Sequence, residues 1–140
     1  MSDRIGEEVR ALVVTRAEQR CEYCLIHEND TFLGCEVDHI ISLKHAGTND
    51  PANLAFACVF CNRHKGTDIA SIYPPTGELV RLFNPREDRW PDHFRIEGAQ
   101  IVPLTKIGEV TARILGFNVS DRIRERQALL SSARYPRTTH

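Results

Sequence analysis

The sequence predicts an α+β fold, with short strands and short helices gathered around a cysteine-bearing centre. Three observations predict it. The first is helical periodicity at both ends of the chain. The second is a run of β-forming residues near the middle. The third is a pair of Cys-x-x-Cys units that bracket that run. A length of 140 residues is that of one ordinary domain, expected to span 1–140.

Each element has its own warrant. Over residues 4–20, Ile5, Val9, Leu12, Val13 and Ala17 recur at three- and four-residue steps, with charged residues between them. That is an amphipathic helix, for which Ser2 or Asp3 is the expected cap. Residues 31–43, TFLGCEVDHIISL, are rich in β-formers and predict a strand pair or hairpin. Residues 44–53, KHAGTNDPAN, carry the turn residues Gly47, Asn49, Asp50 and Pro51, and predict a loop. Residues 53–65 read as a short helix or two, stopped by Gly66. The run YPPTG at 73–77 breaks the chain and opens an extension over 73–131. In it, strands are expected at 79–83 and 93–96, with 101–104 pairing against the second. Helices are expected at 106–116 and 120–131, the first ending at Asn118 and the second capped by Ser120 or Asp121.

Composition narrows the function classes. Hydrophobic residues make up 41% and charged residues 26%, which suits a globular protein. The formal net charge of −1 argues against a strongly basic, non-specific nucleic-acid binder. Charge is nonetheless uneven. Arg122, Arg124, Arg126, Arg134 and Arg137 crowd the C-terminal end, as a solvated helix face or as a phosphate-binding patch. No apolar stretch reaches the roughly 18 residues of a membrane span. The start, MSDRIGEEVR, lacks the apolar segment of a signal peptide, so a cytoplasmic location is expected.

In such a compartment thiols stay reduced, and paired cysteines read as metal ligands before disulfides. Cys21-Glu22-Tyr23-Cys24 and Cys58-Val59-Phe60-Cys61 are separated by 33 residues. Two intervening residues let both thiolates of a pair reach one ion, and two such turns complete a tetrahedral shell of four sulfurs. Soft thiolates in this arrangement favour zinc. A redox pair would need a single Cys-x-x-Cys at a helix start, and plain buried cysteines would not need the spacing at all. Cys35 is left as a small core residue.

Between the pairs, Asp38 and His39 put an acid beside an imidazole. Neighbours on a strand point to opposite faces, so the two serve one site only at a strand end or bend. Asn53 follows 14 residues after His39, and Asn62 nine residues after that, directly behind Cys61. Arg63, His64, Lys65 and Gly66 complete the run. Taken in order, the Cys-x-x-Cys, Asp-His-Ile, Asn-Leu, Cys-x-x-Cys-Asn and Lys-Gly elements over residues 21–66 resemble the HNH endonuclease family. The remainder, from Leu82 through Trp90, His93 and Phe94 to Gly116, is similar to the extension of small stand-alone bacterial HNH proteins.

The resemblance implies a ββα-metal (HNH, or His-Me finger) core with a structural zinc on Cys21, Cys24, Cys58 and Cys61. It implies DNA as the substrate, His39 as the general base and Asp38 as a ligand of a catalytic divalent metal. Asn53 resembles the central asparagine that orients the histidine and fixes the loop. Asn62 stands where the motif has its final histidine, a metal ligand, which makes this an H-N-N variant. Oxygen ligands from Asp38 and Asn62 suit Mg²⁺ or Mn²⁺, with Ni²⁺ a further candidate. Arg63, His64 and Lys65 are candidate phosphate contacts. The competing readings are a non-catalytic zinc module that binds nucleic acid or protein, and a redox or metal sensor using the same thiols. Neither requires the Asp-His-Asn-Asn set. The near-neutral charge also suggests that a protein partner supplies targeting.

Overall fold

The computed structural model describes residues 5–137. Helix α1 (Glu7–Arg16) is shorter at both ends than its periodicity predicts. Its N-cap is Gly6, and the expected caps Ser2 and Asp3 lie outside the described residues. Just beyond it, Glu18 and Gln19 take positive φ, which no helix continues through. Val13 and Ala17 are buried and Val9 packs against them, whereas Leu12 faces solvent.

Strand β1 (Cys35–His39) pairs antiparallel with β2 (Leu54–Cys58), from Cys35 opposite Cys58 to His39 opposite Leu54. The strand partner of 35–39 therefore lies beyond the loop, not within 31–43, and residues 54–58 are strand where a helix is expected. The reason is burial. Every residue of Leu-Ala-Phe-Ala-Cys is buried, so the segment shows no alternation from which a strand could be read. Leu54 and Phe56 pack with Val13 of α1, while Ala55 and Ala57 join the larger core. Helix α2 (Val59–Lys65) follows at once. The Cys58 sulfur caps it by accepting from the Cys61 amide, and Gly66, at φ +53°, ends it.

The extension is two hairpins and two helices. β3 (Ala70–Tyr73) and β4 (Glu78–Arg81) flank the Pro-Pro turn. The short helix α3 (Trp90–His93) leads into β5 (Phe94–Glu97), which pairs with β6 (Gln100–Pro103) as expected. Helix α4 (Lys106–Ile114) is capped by Thr105, whose hydroxyl accepts from the Gly108 amide at 3.0 Å. Helix α5 (Ser120–Ser131) starts from Val119 with no side-chain cap, so neither Ser120 nor Asp121 plays that part. Asn118 instead brackets β6: its side chain accepts from the Ile101 amide and donates to the Ile101 carbonyl. Among the described residues, no helix is long and apolar enough to cross a membrane.

The larger core joins the extension to the first cysteine pair. Phe94 is its hub, with the rings of Phe83, Trp90 and Phe117 packed around it at 5.0–5.5 Å between centroids. Trp90 donates its indole N–H to the Tyr23 carbonyl at 2.8 Å, and the Tyr135 hydroxyl donates to the Cys24 carbonyl at 2.8 Å. Trp90 and Phe94 are thus packing anchors. Truncating the hub should create a cavity and lose its ring contacts: Phe94→Ala is expected to cost about 3–5 kcal/mol in urea unfolding. A loss below about 1 kcal/mol would place the core elsewhere.

Candidate metal centre and active site

Cys21, Cys24, Cys58 and Cys61 are all buried, and their sulfurs lie within 4.8 Å of one another. A zinc–sulfur bond of about 2.3 Å gives a tetrahedral edge of about 3.8 Å. The Cys24 and Cys58 sulfurs are 3.8 Å apart. Each pair sits on a tight turn whose amides point back at the leading sulfur. The Tyr23 and Cys24 amides donate to the Cys21 sulfur, and the Cys61 amide donates to that of Cys58, all at 3.4 Å. The first turn is held to β2 through Glu22, whose amide donates to the Phe56 carbonyl and whose carboxylate accepts from the Phe56 amide, both at 2.8 Å. The four sulfurs thus form a preformed site whose donor set and spacing suit zinc.

Arg122 completes this site, and nothing in its local sequence marks it out. It reaches from α5 to place its guanidinium 3.0 Å from the Cys24 sulfur, 3.7 Å from that of Cys61 and 3.8 Å from that of Cys58. It is 3% exposed, lies over the Phe60 ring and pairs with Glu125. Burial lowers its pKa, but the surrounding sulfurs of Cys24, Cys61 and Cys58 outweigh burial and raise it, so Arg122 stays charged. The other C-terminal arginines are also engaged within the chain. Arg126 is buried and donates to the Ala99 and Phe117 carbonyls, Arg124 pairs with Asp121, and Arg134 and Arg137 hold Asp30. Arg122 and Arg126 are thus buried within the chain, whereas Arg124 and Arg134 keep to the solvated face in their ion pairs.

The segment between the cysteine pairs forms a second centre. Strand alternation turns Cys35 and Val37 toward the α1 side, where both pack against the smaller core. Glu36 and Asp38 face the other way, toward α2. There Asn62 and Lys65, three residues apart on one helix face, meet them. The Asn62 side-chain amide donates to Glu36, and Lys65 pairs with Asp38 at 3.1 Å. Lys65 is 3% exposed and also donates to the His39 carbonyl at 3.0 Å. It is a buried cation behind the site, and Arg63 and His64 are the members of the basic run that face solvent. Burial raises the Asp38 pKa, and Lys65 beside it acts in the opposite sense.

His39 is the last residue of β1, the strand end at which neighbouring side chains can converge. Its Nε2 lies 2.7 Å from Asn49 Oδ1. Asn53 does not touch the imidazole. Its side chain clamps the loop instead, accepting from the Ile41 amide at 2.9 Å and donating to the Ile41 and Thr48 carbonyls at 2.8 Å. Its carbonyl also accepts from the Ile40 amide at 2.8 Å. Gly47 is needed under this clamp, because a Cβ there would lie 1.7 Å from the Ile41 carbonyl oxygen and 2.9 Å from the Asn53 amide nitrogen. His27 and His93 sit elsewhere: His27 accepts from the Asn29 amide, and His93 meets Thr105.

The fold and the two centres define a small mixed α/β unit with a four-cysteine metal site and an adjoining histidine at a strand end. Residues 21–68 match the family model described as HNH endonuclease, and that segment contains both centres. Over that segment the chain is similar to the HNH endonuclease family. No curated protein and no solved structure gives a significant match.

Arg122 offers a direct test of the cysteine centre. A zinc ion on four thiolates carries a net charge of −2, and the guanidinium offsets half of it. Arg122→Gln is expected to weaken zinc retention by about 10- to 100-fold against a competing chromogenic chelator. Unchanged retention would mean that the arginine serves packing alone.

Proposed function

We propose that the chain is a metal-dependent HNH endonuclease that hydrolyses DNA phosphodiester bonds, acting as one domain over residues 1–140. In this reading β1, β2 and α2 form a ββα-metal core, stapled by a structural zinc on the four cysteines. The observation that carries it is the placement of His39. The family-matched segment sets it at the end of β1, on a loop clamped by Asn53, with Asp38 beside it and Asn62 on the facing helix.

The geometry supports a specific division of labour. With Asn49 Oδ1 facing it, the His39 Nε2 carries the hydrogen, which leaves Nδ1 as the basic nitrogen. Nδ1 takes a proton from the attacking water as that water adds to the scissile phosphorus. Asn49 holds the imidazole in this tautomer, and Asn53 fixes the loop from which Asn49 projects. Asp38 and Asn62 would hold a divalent cation, Mg²⁺ or Mn²⁺ by their oxygen chemistry, with Ni²⁺ a further candidate. Such a cation supplies charge stabilisation for the phosphorane-like transition state and the departing 3′ oxygen. Lys65, paired with Asp38, keeps that carboxylate next to a cation within an otherwise costly buried setting.

Arg63 and His64, both exposed on α2, are the candidate contacts for substrate phosphates, with the His64 ring stacked on Phe60. Because the C-terminal arginines are engaged within the chain, this is a thin electrostatic footprint. We therefore include a targeting partner in the proposal. Random-duplex binding by the isolated chain should be weak and strongly salt-dependent.

Plasmid cleavage with Mg²⁺, Mn²⁺, Ni²⁺ or EDTA tests the mechanism. The wild type should cut only with a divalent metal, and His39→Ala should lose about 10²- to 10⁴-fold, the usual contribution of a general base. Equal cutting by His39→Ala would remove His39 from the chemistry. A wild type inactive with every metal would favour a non-catalytic zinc module.

A further inference from the structure

The contact between Glu36 and Asn62 has no part in the chemistry described so far. Glu36 sits two residues before Asp38 on the same face of β1, and Asn62 crosses from α2 to meet it. The pair lies one rung along from Asp38 and Lys65, so two polar contacts join the strand to the helix where a cation would bind. The orientation of the first contact is informative. An asparagine amide has one oxygen and one nitrogen end, and only the oxygen ligates a hard cation. A carboxylate offers acceptors only, so it selects the nitrogen. Asn62 accordingly donates its Nδ2 to Glu36, which turns Oδ1 to the opposite side.

We propose that Glu36 is a positioning residue for the divalent-metal centre: by anchoring the Asn62 amide nitrogen, it orients Asn62 Oδ1 as a ligand. This rests on the nuclease reading, in which Asn62 and Asp38 share the cation. An asparagine at this position ligates only through its oxygen, so the way its amide turns decides whether it can hold a cation.

The role separates from two alternatives by the substitutions it tolerates. A replacement that keeps an acceptor, Glu36→Gln, can still receive Asn62 Nδ2. Glu36→Met has similar length and no acceptor of that kind. An aspartate at position 62 presents oxygen whichever way it turns, so it needs no guide. Mn²⁺ binding to the zinc-loaded full chain, read without DNA by loss of the free-Mn²⁺ electron paramagnetic resonance signal, measures the ligand set apart from turnover.

The expected pattern is a loss of about 10- to 100-fold in Mn²⁺ affinity for Glu36→Met. Glu36→Gln should lose about threefold or less, and the double variant Glu36→Met/Asn62→Asp should recover most of the lost affinity. Zinc content and thermal unfolding of each variant confirm that the fold is kept. If Glu36→Gln is as damaging as Glu36→Met, the carboxylate is itself a ligand and the positioning role is overturned. If Glu36→Met binds Mn²⁺ like wild type, or Asn62→Asp gives no recovery, the role is overturned as well. Asn62→Ala separates the two levels of the argument. If it binds Mn²⁺ as wild type does, or if wild type binds none, the nuclease reading of Asn62 fails and the inference falls with it. If Asn62→Ala loses binding and Glu36→Met does not, only the inference fails.

Discussion

Bringing four cysteine sulfurs within 4.8 Å of one another in a buried pocket is unfavourable unless something meets their charge. A divalent ion would meet half of it, and Arg122 is placed to meet half of the remainder. Several long-range contacts of the chain converge on this cluster. The first cysteine turn is hydrogen-bonded to β2, and its carbonyls receive Trp90 and Tyr135 from the extension. The second cysteine turn is the start of α2. The extension is therefore the lid of the metal site as well as a neighbour of the core.

The cluster also sets up the second centre. With both cysteine pairs fixed, the 33 residues between them must leave and return to the same point. They do so as β1, a clamped loop and β2, and α2 then runs back along β1. That return places Asn62 and Lys65 against Glu36 and Asp38, and leaves His39 at the strand end. The thiols thus act as a scaffold. In the proposed function, hydrolysis falls to the oxygen and nitrogen donors of Asp38, His39 and Asn62 and not to the sulfurs.

Much of this was legible in the sequence, and the rest was hidden for identifiable reasons. The cysteine spacing announced the metal site because spacing is a local property. The order of motif elements over 21–66 agreed with the family match over 21–68. Residues 54–58 read as helix because full burial erased the alternation of a strand. Strand β3 has only four residues, none of them buried, so no alternation of buried and exposed positions marks it. Arg122 reads as one of five C-terminal arginines because its sulfur partners lie 61 or more residues away in sequence. Asn49, not Asn53, meets the histidine, a distinction that depends on how the loop folds back. Lys65 read as a phosphate contact because a lysine in a basic run is normally solvated, yet here it is buried against Asp38.

A metal ion on the four cysteines is expected to hold the architecture together. Elemental analysis of the full chain purified without added metal, followed by removal of that metal with a strong chelator under near-ultraviolet circular dichroism, tests it most directly. One zinc per chain is expected, with loss of the aromatic signal of Trp90, Tyr23 and Tyr135 as the zinc leaves. A zinc-free chain that keeps this signal while all of its thiols react freely would contradict it.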